Sequence, residues 1–153
     1  MAPKVQVTRP VFISYSHKDA KWLDKLRQFL QPLEHMELIR VWDDTEIRTG
    51  SDWLDEIRKA LESARVAVFL ITQNFLNSPF INEQELPKLI DAAYNRGCLI
   101  FLIHVSSATF EMSPLARFQG ANSPNQPLDL MSDGEQNKML LDICRKMQAA
   151  VSG

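Results

Sequence analysis

Val66-Ala67-Val68-Phe69-Leu70-Ile71 is an unbroken run of six apolar residues, half of them β-branched, between Arg65 and the polar Thr72-Gln73-Asn74. A strand that does not alternate with polar residues is buried on both faces, which is the habit of a parallel sheet covered by helices. Val11-Phe12-Ile13 and Leu99-Ile100-Phe101-Leu102-Ile103 have the same character. Leu38-Ile39-Arg40-Val41-Trp42 is more mixed and predicts a strand nearer an edge. A short, weak fifth strand is expected around Pro127-Leu128-Asp129-Leu130.

Helical periods fill the spaces between these runs. Trp22, Leu23, Leu26, Leu30 and Leu33 share one stripe, and Pro32 predicts that this helix ends near Gln31. Trp53, Leu54, Ile57, Leu61 and Ala64 form a second stripe, with Ser51 or Asp52 available as N-cap. Leu86, Leu89, Ile90 and Ala93 form a third, stopped by Gly97. Leu140, Ile143, Cys144, Met147 and Val151 form the last. The order is βαβαβαβ, then an irregular stretch from Ser106 to Asn125, then a helix; a short helix is expected inside that stretch, at Leu115 to Phe118. This alternation predicts an α/β fold: a flavodoxin-like, doubly wound, five-stranded parallel sheet in the order 2-1-3-4-5, with helices on both faces. Residues 1–9 read as an N-terminal extension and residues 10–151 as a single domain.

Composition agrees with that architecture. The chain has 153 residues, 45% apolar and 24% charged, with a formal net charge of -2. Such a chain can bury a sizeable core, which excludes disorder and a disulfide-stapled miniprotein. The balanced charge argues against nucleic acid or an anionic membrane as partner. Two cysteines, Cys98 and Cys144, show no metal-ligand spacing and suit a reducing compartment. The start lacks a signal peptide, and the longest apolar run, Cys98 to Val105, is far short of the ~20 residues that span a bilayer. A cytoplasmic domain is therefore expected.

In an open α/β sheet, ligands bind at the carboxyl ends of the strands, near the switch in strand order. That rule selects Ser14 to Asp19, Asp43 to Ser51, Thr72 to Glu85, and His104 to Thr109. The five glycines form neither a dinucleotide fingerprint nor a P-loop, and there is no GxSxG elbow. Histidines 17, 35 and 104 are too scattered for a zinc site. A phosphoacceptor receiver needs an aspartate at the end of strand three, where this chain has Ile71-Thr72-Gln73.

Three segments remain. They are Phe12-Ile13-Ser14-Tyr15-Ser16-His17-Lys18-Asp19, Trp42-Asp43-Asp44-Thr45-Glu46-Ile47-Arg48-Thr49-Gly50, and Ser78-Pro79-Phe80-Ile81-Asn82-Glu83-Gln84-Glu85-Leu86. Together they resemble a Toll/interleukin-1 receptor (TIR) domain of the kind common in bacteria. The first is similar to the family's box 1, and the second to box 2 with its BB loop. The third is similar to the segment whose final glutamate is catalytic in enzymatic members. The resemblance covers roughly Val11 to Val105 and extends only loosely into the tail.

The resemblance implies a choice. Enzymatic members cleave NAD+ at the nicotinamide–ribose bond, giving nicotinamide and ADP-ribose or a cyclic isomer; NAD+ is then substrate, with no cofactor and no metal. Other members are non-catalytic signalling scaffolds that associate through the BB loop, here Asp43 to Ser51. Glu85 stands at the catalytic position. Tyr15, Ser16 and His17 stand where the resemblance implies that the NAD+ cleft is lined, and Ser14, Asp43, Arg48, Phe80 and Ile81 are further candidates for binding NAD+ there. Many active members carry an aromatic residue four positions before the glutamate; Ile81 is there in this chain, with Phe80 just before it. Either branch implies self-association and a sensor or oligomerisation domain in a longer parent protein. Immune defence by NAD+ depletion, host subversion and signal production are all compatible with these residues.

A lone glutamate is chemically sufficient for such a cleavage. Glycosidases use two carboxylates because an alkoxide leaving group needs a proton. Nicotinamide leaves as a neutral pyridine from a cationic pyridinium, so only the oxocarbenium-like ribose needs help, and a carboxylate supplies it. Structural alternatives stand beside each assignment. Asn82-Glu83-Gln84-Glu85 matches a capping box, and Pro87 would bend a helix that began well before it. The Tyr15 to His17 loop could simply turn into the first helix, with Asp19 as N-cap. Asp43 and Asp44 fit a ribose contact, a loop cap or solvated charge. Arg48 fits a diphosphate or a neighbouring protomer, and Trp53 fits the core.

Overall fold

The computed structural model describes residues 9–43, 53–78 and 85–152, with the backbone alone for Arg9, Trp53, Leu54, Glu85 and Ser152. Strand β1 (Arg9–Ser14) is followed by a 3-10 turn (His17–Asp19), α1 (Ala20–His35) and β2 (Ile39–Asp43). Then come α2 (Trp53–Ser63), β3 (Val66–Ile71), the single turn α3 (Gln73–Leu76), α4 (Glu85–Asn95), β4 (Leu99–His104) and α5 (Asp133–Ser152). The described strands form one parallel sheet in the order β2-β1-β3-β4.

Side chains leave a strand on alternate sides, so each continuous apolar run supplies two layers at once. Val11, Ile13, Val66, Val68, Leu70 and Ile103 share a core with Leu23, Leu26 and Leu30 of α1 and with Leu140, Ile143 and Met147 of α5. Phe12, Ala67, Phe69, Ile71 and Leu102 share the other with Ile57 and Leu61 of α2 and with Leu86, Ile90 and Ala93 of α4. All six β3 residues are buried, and each such Leu, Ile or Phe contributes about 1.5–3 kcal/mol. The mixed run at residues 38–42 falls in β2, an edge strand among those described, as its composition implied.

Three expectations are corrected. Pro32 does not end α1, which runs on to His35 with Leu33 buried. The helix closes instead where Leu38 N–H bonds Leu33 C=O and Glu37 N–H bonds Glu34 C=O, with Glu37 at φ 58°. That pattern is a Schellman closure, normally built on glycine; the buried Leu33 and this closure offset the one backbone bond that proline cannot make. Second, no fifth strand forms at residues 127–130. Leu128–Leu130 is a 3-10 turn whose Asp129 N–H bonds Val105 C=O across the end of β4. The outer edge of β4 is closed by a single bridge between Leu102 and Gly120 and by the side chain of Asn122. Third, the short helix expected at Leu115 to Phe118 is a turn; the 3-10 helix lies earlier, at Phe110–Met112, where Phe110 is buried.

Gly97 stops α4 as expected, at φ 92°, with Cys98 N–H bonded to Ala93 C=O. Pro87 does no damage there. It is the third residue of α4, among the first four positions whose N–H groups have no partner inside the helix.

Candidate functional site

The chain turns from β1 to β2 on one side and from β3 to β4 on the other, so the switch in strand order lies between β1 and β3. Their carboxyl ends are adjacent, with Ser14 opposite Phe69 in register. Ser14 is fully buried. Tyr15 is buried too, in the α1–α5 core layer, so its ring forms the floor of this edge rather than an open wall. Ser16 is half-buried and His17 exposed, with the His17 ring centroid 5.5 Å from that of Tyr15. Ser16 C=O accepts from Asp19 N–H at 2.8 Å, which closes the 3-10 turn.

Asp19 is at the N-cap position of α1, yet its side chain makes no cap bond. Its Oδ2 accepts from Thr72 Oγ1 at 2.6 Å and its Oδ1 from Asn74 Nδ2 at 3.2 Å. Forgoing such a cap costs about 1 kcal/mol of helix stability. Thr72 in turn accepts from Phe75 N–H at 3.0 Å and so caps α3. Gln73 continues the polar line toward β4, donating to Thr109 Oγ1 at 3.0 Å and accepting from Thr109 N–H at 2.9 Å. The carboxyl edge is thus laced together by side chains from the ends of β1, β3 and β4. Sequence reading placed these segments at one edge but did not pair them, because residues 19 and 72 carry no local signal of each other.

Asp43 ends β2, opposite Ile13, at the same edge of the sheet. Its carboxylate, only 11% exposed, accepts from Arg27 Nη1 at 2.8 Å, and Arg27 also lies 3.9 Å from Glu34. Asp43 is therefore tied to α1 at the root of the loop that follows it. Glu85 opens α4. Since α4 runs back to the start of β4, its first turn stands at the carboxyl edge. The Glu85 side chain, Arg48, Phe80, Ile81 and the capping box at Asn82 lie outside the described residues.

Sequence reading also gave no role to His104. It is 2% exposed, sits edge-on to Phe110 with centroids 4.6 Å apart, and has no partner for Nε2. Burial pushes its pKa below the ordinary value, because desolvation disfavours the charged imidazolium. The Cys98 and Cys144 thiols are pushed up to about 11 by burial, which removes them as nucleophiles at neutral pH. Among the described residues, no three His, Cys, Asp or Glu side chains gather to hold a metal, and no helix is long and apolar enough to cross a membrane.

A family model for the TIR domain matches residues 11–141. The chain belongs to the TIR domain family. The match extends well past the three segments that suggested it, through β4 and into α5. Among solved structures, this TIR domain is similar to a prokaryotic SEFIR domain, with a TM-score of 0.61 at 10% identity, over 94% of this chain and 92% of that one. That likeness is one of fold. The TIR domains of the activated Roq1 resistosome, which directly recognises the pathogen effector XopQ, match with a TM-score of 0.48 at 17% identity, over 93% and 84%. No relative was found among curated proteins.

Proposed function

We propose that this TIR domain cleaves NAD+ at the nicotinamide–ribose bond, in the crevice between the carboxyl ends of β1 and β3, and that self-association activates it. The observation that supports the reading is the start of α4: in a TIR domain, the helix that opens at Glu85 begins at the same sheet edge as the Ser16–His17 loop. Glu85 is the carboxylate that stabilises the ribose cation as neutral nicotinamide departs. Ser16 and His17 contact the substrate, Tyr15 and Ser14 support them from below, and Arg48, Phe80 and Ile81 complete the cleft. The products are nicotinamide and either ADP-ribose or its cyclic isomer, according to whether water or an adenine nitrogen reaches the anomeric carbon. The loop from Asp43 to Ser51 joins protomers.

The test is NAD+ consumption by concentrated protein with a crowding agent, with assembly confirmed by light scattering. Glu85→Ala, shown folded by circular dichroism, is expected to lower turnover about 10²–10³-fold, the usual effect of deleting one transition-state contact. Absence of turnover by an assembled wild type overturns the enzymatic reading and leaves a scaffold acting through homotypic contacts.

A further inference from the structure

Asp19 does something that its position does not announce. Aspartate just before a helix is a capping residue by type, yet both carboxylate oxygens turn away from α1 and across the crevice to the turn that follows β3. Thr72 Oγ1 already accepts from Phe75 N–H, so its own proton goes to Asp19. Asn74 supplies the second donor. On one side of this bridge is the loop that carries Tyr15 and His17. On the other is the chain that leads through α3 to Glu85.

We propose that Asp19 is a positioning residue, whose carboxylate clamps the β1 loop to the Thr72–Asn74 turn and sets the width of the crevice. Its catalytic meaning rests on the NAD+ cleavage proposed above. The clamp acts through others: with it, the His17 loop and the turn that follows β3 hold one spacing; without it, the two sides of the crevice drift apart.

The experiment compares assembled wild type with Asp19→Ser, Thr72→Val, Thr72→Ser and the Asp19→Ser/Thr72→Val double variant. Serine is a good N-cap, so Asp19→Ser satisfies α1 and removes only the bridge. Expected is a melting temperature lowered by a few degrees, since a serine cap offsets only part of the bonds lost, with kcat down about 10–100-fold, the scale of an ångström-level misplacement. KM rises by less than kcat falls, because the loosened Ser16–His17 contacts weaken bound substrate and transition state alike, whereas the reacting geometry is lost only in the transition state. The double variant is expected to be no slower than the slower single one, since both break one bridge. Thr72→Ser, which keeps the hydroxyl, is expected to recover most of what Thr72→Val loses. Amide exchange at residues 16–19, measured in the same samples, is expected to rise about tenfold in Asp19→Ser through local opening. A folded Asp19→Ser with wild-type kcat overturns the proposal. If the assembled wild type turns over no NAD+, the functional reading fails instead. Exchange then decides the clamp alone, and unchanged protection at residues 16–19 overturns it.

Discussion

Asn122→Ala tests how this sheet ends without a fifth strand. The Asn122 amide pairs with His104 as a neighbouring strand would: His104 N–H donates to Oδ1 at 2.7 Å, and Nδ2 donates to His104 C=O at 2.9 Å. Nδ2 also reaches Gln126 C=O at 3.3 Å. His104 is 2% exposed and Asn122 8%, so water cannot take over the two His104 groups. Each buried group left unpaired costs about 1–3 kcal/mol, which puts the substitution near 4 kcal/mol. At about 2–4 °C per kcal/mol for a domain of this size, the melting temperature falls by about 10 °C. Urea unfolding followed by circular dichroism gives the free energy, and exchange at the His104 amide reports the local opening. Asn122→Asp is the companion. It is isosteric and keeps an acceptor for His104 N–H, but it turns a second acceptor toward two carbonyls, so it is expected to be no more stable than the alanine variant. A loss below about 1 kcal/mol for alanine, or wild-type stability for aspartate, would refute the argument that a side-chain amide stands in for the missing strand.

Other expectations follow from single positions. Glu37 holds φ 58° in the closure of α1, a conformation costing a non-glycine residue about 1–2 kcal/mol; Glu37→Gly, after glycine's greater chain entropy, is expected to add about 0.5–1 kcal/mol. A loss of stability in urea unfolding would mean that the Glu37 side chain contributes there. A Cβ on Gly120 would stand 2.6 Å from both the backbone Asn122 O and His104 Nε2, so Gly120→Ala is expected to cost about 1–3 kcal/mol or more by overpacking; a neutral result by calorimetry would show that the Asn122 backbone and the His104 ring both give way freely. Burial lowers the His104 pKa from its ordinary 6.5. The unfolded chain therefore binds a proton that the folded one refuses, and stability present above that pH is lost as pH falls below it. Melting temperatures across that range are expected to drop for the wild type and to stay flatter for His104→Gln; parallel profiles would sink the assignment.

The core was legible because burial on both faces leaves unbroken apolar runs. Residues 66–71 form β3 without a shift of boundary, and the mixed composition of residues 38–42 correctly marked an edge. What misled were local rules outweighed by distant contacts. Proline at position 32 argues for a helix end, but Leu33 has a core to enter and Leu38 a carbonyl to bond. Pro127-Leu128-Asp129-Leu130 looks weakly like a strand, yet Val105 C=O takes the Asp129 N–H and turns the segment across the sheet end. The group that replaces the strand is an amide 18 residues from its partner, and neither helical nor strand periodicity encodes such a pair.

At the carboxyl edge the same division recurs with a different consequence. The expected strand order already made β1 and β3 neighbours, so the crevice was legible, and the TIR resemblance drawn from three segments is carried by a family match over residues 11–141. The pairing within the crevice was not, because Asp19 and Thr72 are 53 residues apart and each has an ordinary local explanation as a cap. Thr72 follows its rule and caps α3; Asp19 breaks its rule and makes no side-chain cap bond to α1. Natural sequences depart from local consistency mainly where something else is selected. A structural bridge alone could have been built from residues that no helix needs. Turning Asp19 from α1 to join two loops at the switch in strand order makes sense if the spacing of those loops is itself what is selected, and on the function proposed above that is the spacing an NAD+ ribose would have to fit.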